Sequence, residues 1–300
     1  MVNVTLKQLR YFEALAHHGH FGRAAEASAI SQPALSLQIK ELEATLGASL
    51  FERGARQVRL TRFGEEVALR VQPILRAVEE LGDVARASVD VLRGELRLGV
   101  IPTIAPYLLP QILASLTRGY PELEARVRET VTPRLIDELA AGQLDAAIVA
   151  LPVSEPSLVE VSLFEEPMLL IRPAAETGEP VLNREDLGAR RLLLLEEGQC
   201  FRDQALSFCT IDGRGARDGL DGSSLSTLVQ MVGAGIGVTL IPEMAVPVET
   251  RSAAVAVDAF PEPQPTRRVG MVWRKSNPLS PRLEEIADCL RQALKVREGA

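Results

Sequence analysis

The chain has 300 residues, 46% of them hydrophobic, and a formal net charge of −7, which fits an ordinary globular protein with about two domains. No apolar run reaches the ~18 residues of a membrane span, and the first residues carry no signal-peptide pattern, so a cytoplasmic protein outside the membrane is expected. Three cysteines are too few for a disulfide scaffold, and a disulfide between any two would be transient and catalytic or sensory in a reducing compartment.

The charge is unevenly distributed. Eight basic against five acidic side chains give residues 1–62 a net +3, which leaves −10 on the rest of the chain, as suits a basic nucleic-acid-binding module joined to an acidic domain. Within this module Leu6, Leu9, Phe12, Leu15 and Ala16 recur at helical spacing, and the helix is expected to end in the loop His17, His18, Gly19, His20. Three histidines in one loop with no second ligand cluster nearby make a poor metal site, so neither metal nor cofactor is expected. A second helix is predicted from about Gly22. Ser31 should cap a third, with Pro33 in its first turn, and its stripe of Leu35, Ile39, Leu42 and Leu46 leaves Gln32, Ser36, Gln38 and Lys40 outward. Residues 50–60 read as two short strands around a Gly-containing turn, a basic wing.

Phe21 through Ala25, Ser31-Gln32-Pro33-Ala34-Leu35-Ser36, and Leu50-Phe51-Glu52-Arg53 with Leu60-Thr61 resemble the winged helix-turn-helix of LysR-type transcription regulators. The resemblance implies that the third helix enters the major groove of double-stranded DNA, with Gln32, Pro33 and Ser36 near base edges and Arg53 and Arg56 near phosphate. It places a winged helix-turn-helix domain at 1–62 and a linker helix at 63–90. In that linker Val67, Val71, Ile74, Val78, Leu81 and Ala85 alternate steps of four and three, an a/d seam for a partner helix, although a helix packed on its own domain shows the same stripe. Pro73 should bend it or remove one hydrogen bond.

From Arg93 the pattern changes. Strands are predicted at 96–100, 123–130, 146–151, 168–171, 192–195, 237–241 and 269–273, with helices at 133–141 and 225–232 and a last amphipathic helix after the return strand. The alternation favours a parallel α/β sheet. The arrangement is similar to the two-lobed, periplasmic-binding-protein-like effector domain of LysR-type regulators, spanning 91–300. Lobe I would take about 91–163 and 268–300, and lobe II about 164–267. The expected fold is thus α+β multidomain.

Cys200 and Cys209 lie nine positions apart in a segment with a polar first half. Cys200 precedes a predicted helix, where the helix dipole and Arg202 would stabilise a thiolate; taken alone, such a pair reads first as packing residues. The stretch 192–209, and the chain as a whole, resemble the OxyR-type, hydrogen peroxide-sensing group of LysR-type regulators. That resemblance implies that Cys200 is the peroxidatic and Cys209 the resolving cysteine, supported by Thr103, Thr132, Arg202, Asp203 and Arg267. It also implies a dimer of dimers that contacts RNA polymerase, and a regulator that is not an enzyme. Where that group usually has histidine before the peroxidatic cysteine, this chain has Gln199, which can hydrogen-bond but cannot become an imidazolium. Cys289, beside Ile286 and Leu290, reads as structural. Blander roles are Thr103 and Thr132 as helix caps and Arg267 in a salt bridge. If residues 201–208 are helical, the two cysteines stand about 13 Å apart along the axis, whereas a disulfide tolerates Cα separations of only ~7 Å. Oxidation would then force that helix to reorganise. The alternatives are a LysR-type regulator that binds a small anionic co-inducer in the interlobe cleft through Thr103 and Thr132, and a thiol peroxidase.

Overall fold

The computed structural model describes residues 3–52, 58–87, 93–181, 187, 190–196, 202, 204–206 and 222–295. The chain divides into two compact units, Met1–Ala85 and Arg86–Ala300.

In the first unit, α1 (Leu6–His18) opens with a capping box. The Thr5 hydroxyl accepts from the Gln8 N–H, and the Gln8 side chain accepts from the Thr5 N–H. The helix runs on through His17 and His18 and stops at Gly19, whose positive φ forms the left-handed cap. It thus ends later than the sequence pattern suggests. His20 is exposed, as a loop residue should be, but it also has a structural role: its Nδ1 accepts the Gly22 N–H at 3.0 Å and caps α2 (Phe21–Ala27). Ser31 caps α3 (Gln32–Leu46), with Pro33 in the first turn. The stripe Leu35, Ile39 and Leu42 joins Phe12, Leu15 and Leu50 in one buried core. The ends of the wing pair through a Phe51–Leu60 bridge and the Glu52 N–H to Arg59 carbonyl bond.

Helix α4 (Arg62–Ala87) continues through Pro73 and corrects the seam reading for its first half. Val71 and Leu75 are buried in the core of the first unit and Val67 packs against it. These side chains therefore serve their own domain. The exposed apolar side chains are Leu69, Ile74, Leu81 and Val84; Leu69 and Ile74 border an apolar groove of about 670 Å³ that Val4, Leu6 and Leu46 also line.

The second unit is built on β1 (Gly94–Val100), β2 (Leu123–Glu129), β3 (Ala146–Leu151), β4 (Leu158–Pro173), β5 (Thr239–Pro242), β6 (Val255–Ala259) and β7 (Thr266–Arg274). The strand order is β2-β1-β3-β7-β4-β5, with β6 on β4. Of these seven strands β2, β1 and β3 run parallel, whereas β7 is antiparallel to β3 and β4, and β4 to β5 and β6. The sheet is therefore mixed, which corrects the parallel expectation, because an apolar run reveals burial and not strand direction. Residues 192–195 form isolated bridges to Val238 and Gly222 rather than a strand. Helices α5 (Ala105–Gly119), α6 (Thr132–Ala140), α7 (Leu225–Gly233), α8 (Val246–Glu249) and α9 (Ser280–Lys295) flank the sheet.

Two apolar cores result. One gathers β1, β3, β7, α5 and α9 around Trp273, and the other gathers the second half of β4, β5 and α7. The 16-residue β4 belongs to both. Through Pro167 it pairs with β7, and from Met168 onward with β5 and β6.

Candidate redox and DNA-contact sites

The parallel pair β1 and β2 sets two of the predicted residues. Val100 lies opposite Glu129 at the carboxyl ends of these strands, and three residues beyond each stand Thr103 and Thr132, both buried. The carboxyl ends of parallel strands are where open α/β sheets bind ligands. Neither threonine is a helix cap. The N-cap of α5 is Ile104 and that of α6 is Val131, and neither cap makes a side-chain bond.

Arg267 enters from β7, opposite Glu166 on β4, at the place where the two strands pass between the cores. It is 2% exposed, and burying a guanidinium requires that its charge and its donors be matched. Its Nε donates to Glu166 Oε1 at 2.6 Å, Nη1 to Thr103 Oγ1 at 3.0 Å and Nη2 to the Thr103 carbonyl at 3.0 Å. The second Glu166 oxygen accepts the Met244 N–H at 3.3 Å. Burial pushes the Glu166 carboxyl above the usual carboxylate range, and Arg267 pulls it partly back. The structure thus brings Thr103 and Arg267 together. Arg267 does stand in a salt bridge, and its partner Glu166 lies 101 positions away in sequence.

Arg202 is half-buried, and its Nη1 donates to the Leu195 carbonyl at 2.9 Å. Gln199, Cys200, Asp203 and Cys209 lie outside the described residues, as do Arg53 and Arg56 of the wing. Cys289 is a half-buried free thiol on α9. On α3, Gln32 and Pro33 are exposed and Ser36, at the edge of the Leu35 and Ile39 stripe, is half-buried.

Sequence reasoning missed two sets of residues. Glu166 is one, hidden in the run Phe164-Glu165-Glu166-Pro167. The other is an interlobe set in which the Tyr107 hydroxyl on α5 donates to Glu249 Oε1 at 2.6 Å and the Ser226 hydroxyl on α7 donates to Oε2 at 2.5 Å. Tyr107 packs against both cores, and its phenol is raised well above its ordinary value by burial and by that carboxylate. An alternating strand with an inward-facing acid is the available signal for Glu166; nothing local marks Tyr107.

A helix-turn-helix unit ahead of a two-lobed α/β unit, with buried polar groups at the carboxyl ends of its parallel strands, defines a LysR-type transcription regulator. Residues 6–65 match the bacterial regulatory helix-turn-helix proteins of the lysR family, and residues 90–295 match the LysR substrate binding domain. The DNA-binding transcriptional dual regulator OxyR of Escherichia coli (strain K12) is 40% identical over 293 residues, 96% of this chain and 95% of that protein. Among solved structures, a full-length OxyR cysteine variant from Pseudomonas aeruginosa superposes with a TM-score of 0.74 at 38% identity, covering 96% of this chain and 95% of that one. A hydrogen peroxide-bound OxyR cysteine variant from Corynebacterium glutamicum gives 0.67 at 35% identity, covering 98% and 93%. The chain belongs to the LysR family, as one of its OxyR-type hydrogen peroxide-inducible activators.

Proposed function

We propose that this regulator binds double-stranded DNA through α3 and the wing and senses hydrogen peroxide through Cys200 and Cys209. The observation that carries this reading is the likeness to OxyR proteins along almost the whole chain, combined with a cysteine pair in the matching segment. In the first step the Cys200 thiolate attacks one peroxide oxygen. The S–O bond forms as the O–O bond breaks, sulfur is oxidised by two electrons, and the departing hydroxide takes a proton from solvent to become water. The Cys209 thiol then displaces the sulfenic hydroxyl as a second water, leaving a disulfide. Closing that bond reorganises the intervening segment and so transmits the signal to the DNA-binding units. The domain limits 1–62, 63–90 and 91–300 belong to this reading. So do a dimer of dimers, contact with RNA polymerase, a cytoplasmic location and the absence of catalytic turnover. No helix among the described residues is long and apolar enough to cross a membrane.

The test is peptide mass spectrometry after a peroxide pulse, coupled to footprinting of genomic DNA. A Cys200–Cys209 linkage that appears together with an altered footprint is expected; an unchanged footprint in the linked protein would separate the chemistry from regulation. The placement of Thr103 and Thr132 also suits a small anionic co-inducer in the interlobe cleft. That alternative requires the response to survive in Cys200→Ser.

The DNA contacts make a further prediction. Replacing Ser36 on α3 should relax site choice at one or two base pairs, whereas Arg53→Ala should weaken all sequences alike and lower the salt slope by about one. Binding isotherms on specific and random duplexes at several salt concentrations distinguish the two, and unaltered isotherms for both variants would refute the docking.

A further inference from the structure

Away from the strand crossing the two lobes are also joined through one carboxylate. Glu249, at the end of α8, accepts the Tyr107 hydroxyl on Oε1 at 2.6 Å and the Ser226 hydroxyl on Oε2 at 2.5 Å. Tyr107 stands on α5, which packs into the first core, and Ser226 on α7, which packs into the second. Burial and the carboxylate keep the phenol protonated, so Tyr107 stays the donor, and a hydrogen bond to a charged group is among the stronger ones. The start of α7 is tied in turn to the stretch that precedes the cysteine pair. Ser224 caps the helix, Gly222 bridges to Leu195, and the Gly222 N–H donates to the Leu194 carbonyl at 2.9 Å. The Leu195 carbonyl also accepts from Arg202, which is helical, as are residues 204–206. A helical segment is the arrangement that disulfide closure has to undo. The bonded carboxylate and the helical turn therefore belong to one state.

We infer that Glu249 is an interlobe clasp that stabilises the unlinked state, holding Tyr107 and Ser226 together until reorganisation of the turn at 204–206 shifts the start of α7 and frees the phenol. The inference rests on the reading that Cys200 and Cys209 form a disulfide. The clasp itself consists of Tyr107, Ser226 and Glu249 and touches neither thiol. Its effect has a definite sign. A contact present in the unlinked state and lost in the linked one opposes disulfide formation, and removing it favours the disulfide by the same factor.

The experiment equilibrates the full-length protein in glutathione redox buffers, where two protein thiols and one glutathione disulfide give the protein disulfide and two glutathiones. Tyr107→Phe loses the hydroxyl alone. It should raise the equilibrium constant for the Cys200–Cys209 disulfide about tenfold, the effect of one hydrogen bond to a charged group, which lowers the reduction potential by about 30 mV. Ser226→Ala should act in the same direction. The double variant should exceed Tyr107→Phe by no more than about twofold, because both hydroxyls work through one carboxylate. The bond itself is followed by fluorine NMR after labelling with 3-fluorotyrosine. The chain has three tyrosines, and the line missing from Tyr107→Phe identifies Tyr107. On disulfide formation that line should move toward its position in Glu249→Ala. An equilibrium constant at the wild-type level in Tyr107→Phe would mean that the bond persists in both states and would overturn the inference. So would effects that multiply in the double variant, or a Tyr107 line that stays in place in the linked protein. The equilibrium constant of Tyr107→Phe decides the matter if Glu249→Ala does not fold. Should the wild type form no Cys200–Cys209 disulfide in oxidising buffer or with peroxide, the sensing reading itself fails, and the inference with it.

Discussion

Replacing Arg267 with methionine is expected to destabilise the C-terminal unit by about 3–5 kcal/mol, the usual consequence of removing one partner from a buried ion pair. The Glu166 side chain is 6% exposed, so without Arg267 its charge is left to the Met244 N–H alone. The deficit should also depend on pH. A carboxyl whose proton is held more tightly in the folded protein opposes folding once it ionises. The cost of burying Glu166 is therefore absent below the ordinary carboxylate range near ~4 and develops as pH rises through its raised folded value. Arg267 offsets that cost in the wild type. In Arg267→Met the deficit should be largest near neutral pH and shrink as the solution is acidified. Urea unfolding across this range, followed by tryptophan fluorescence from the buried Trp273, measures it. A deficit that stays constant with pH would mean that the loss arises from packing and not from the stranded carboxylate.

Cys200→Ser should abolish peroxide-driven change in the DNA footprint, and Cys209→Ser should leave Cys200 able to reach the sulfenic acid but not the disulfide. The asymmetry follows from the order of the steps, since an attacking thiolate starts the reaction and a resolving thiol only traps its product. Trapping with a dimedone-type reagent followed by peptide mapping tests it directly. Sulfenic acid appearing first at Cys209 would exchange the two roles. Cys289, half-buried on the last helix, serves as the internal control and should oxidise slowly in all three proteins.

Local signals in the sequence survive well in the structure. Leu35, Ile39 and Leu42 do form the buried stripe of α3, Ser31 does cap it, and residues 146–151 are a fully buried strand. Each of these depends on contacts within a few residues or on continuous burial, which spacing reveals. Strand direction does not leave such a mark, and neither does the first half of β4, where Glu160, Glu165 and Glu166 dilute the apolar pattern. α4 shows a different ambiguity. A stripe with steps of three and four states that a face is buried but not by what, and Val67 and Val71 are covered by their own domain. Of the site, resemblance supplied Thr103, Thr132 and Arg267, yet not the group that holds Arg267 in place. The Glu166 contact is a consequence of strand register across 101 residues, and register is decided by the whole sheet.

The sharing of β4 has a consequence for how the protein can change over evolutionary time. Leu158 and Leu163 anchor the strand in one core, and Met168, Leu170 and Ile171 in the other. Side chains on a strand alternate between faces, so the spacing between these two sets has a parity as well as a length. One residue gained or lost between 164 and 167 would keep either core in phase only by turning the other inside out, and it would also part Glu166 from Arg267. The irregularity between Ser162 and Phe164 is where the ladder already tolerates an odd residue, as bulges do. Changes in length are therefore best absorbed there, or in the loops at either end, while the strand between keeps the two lobes in phase.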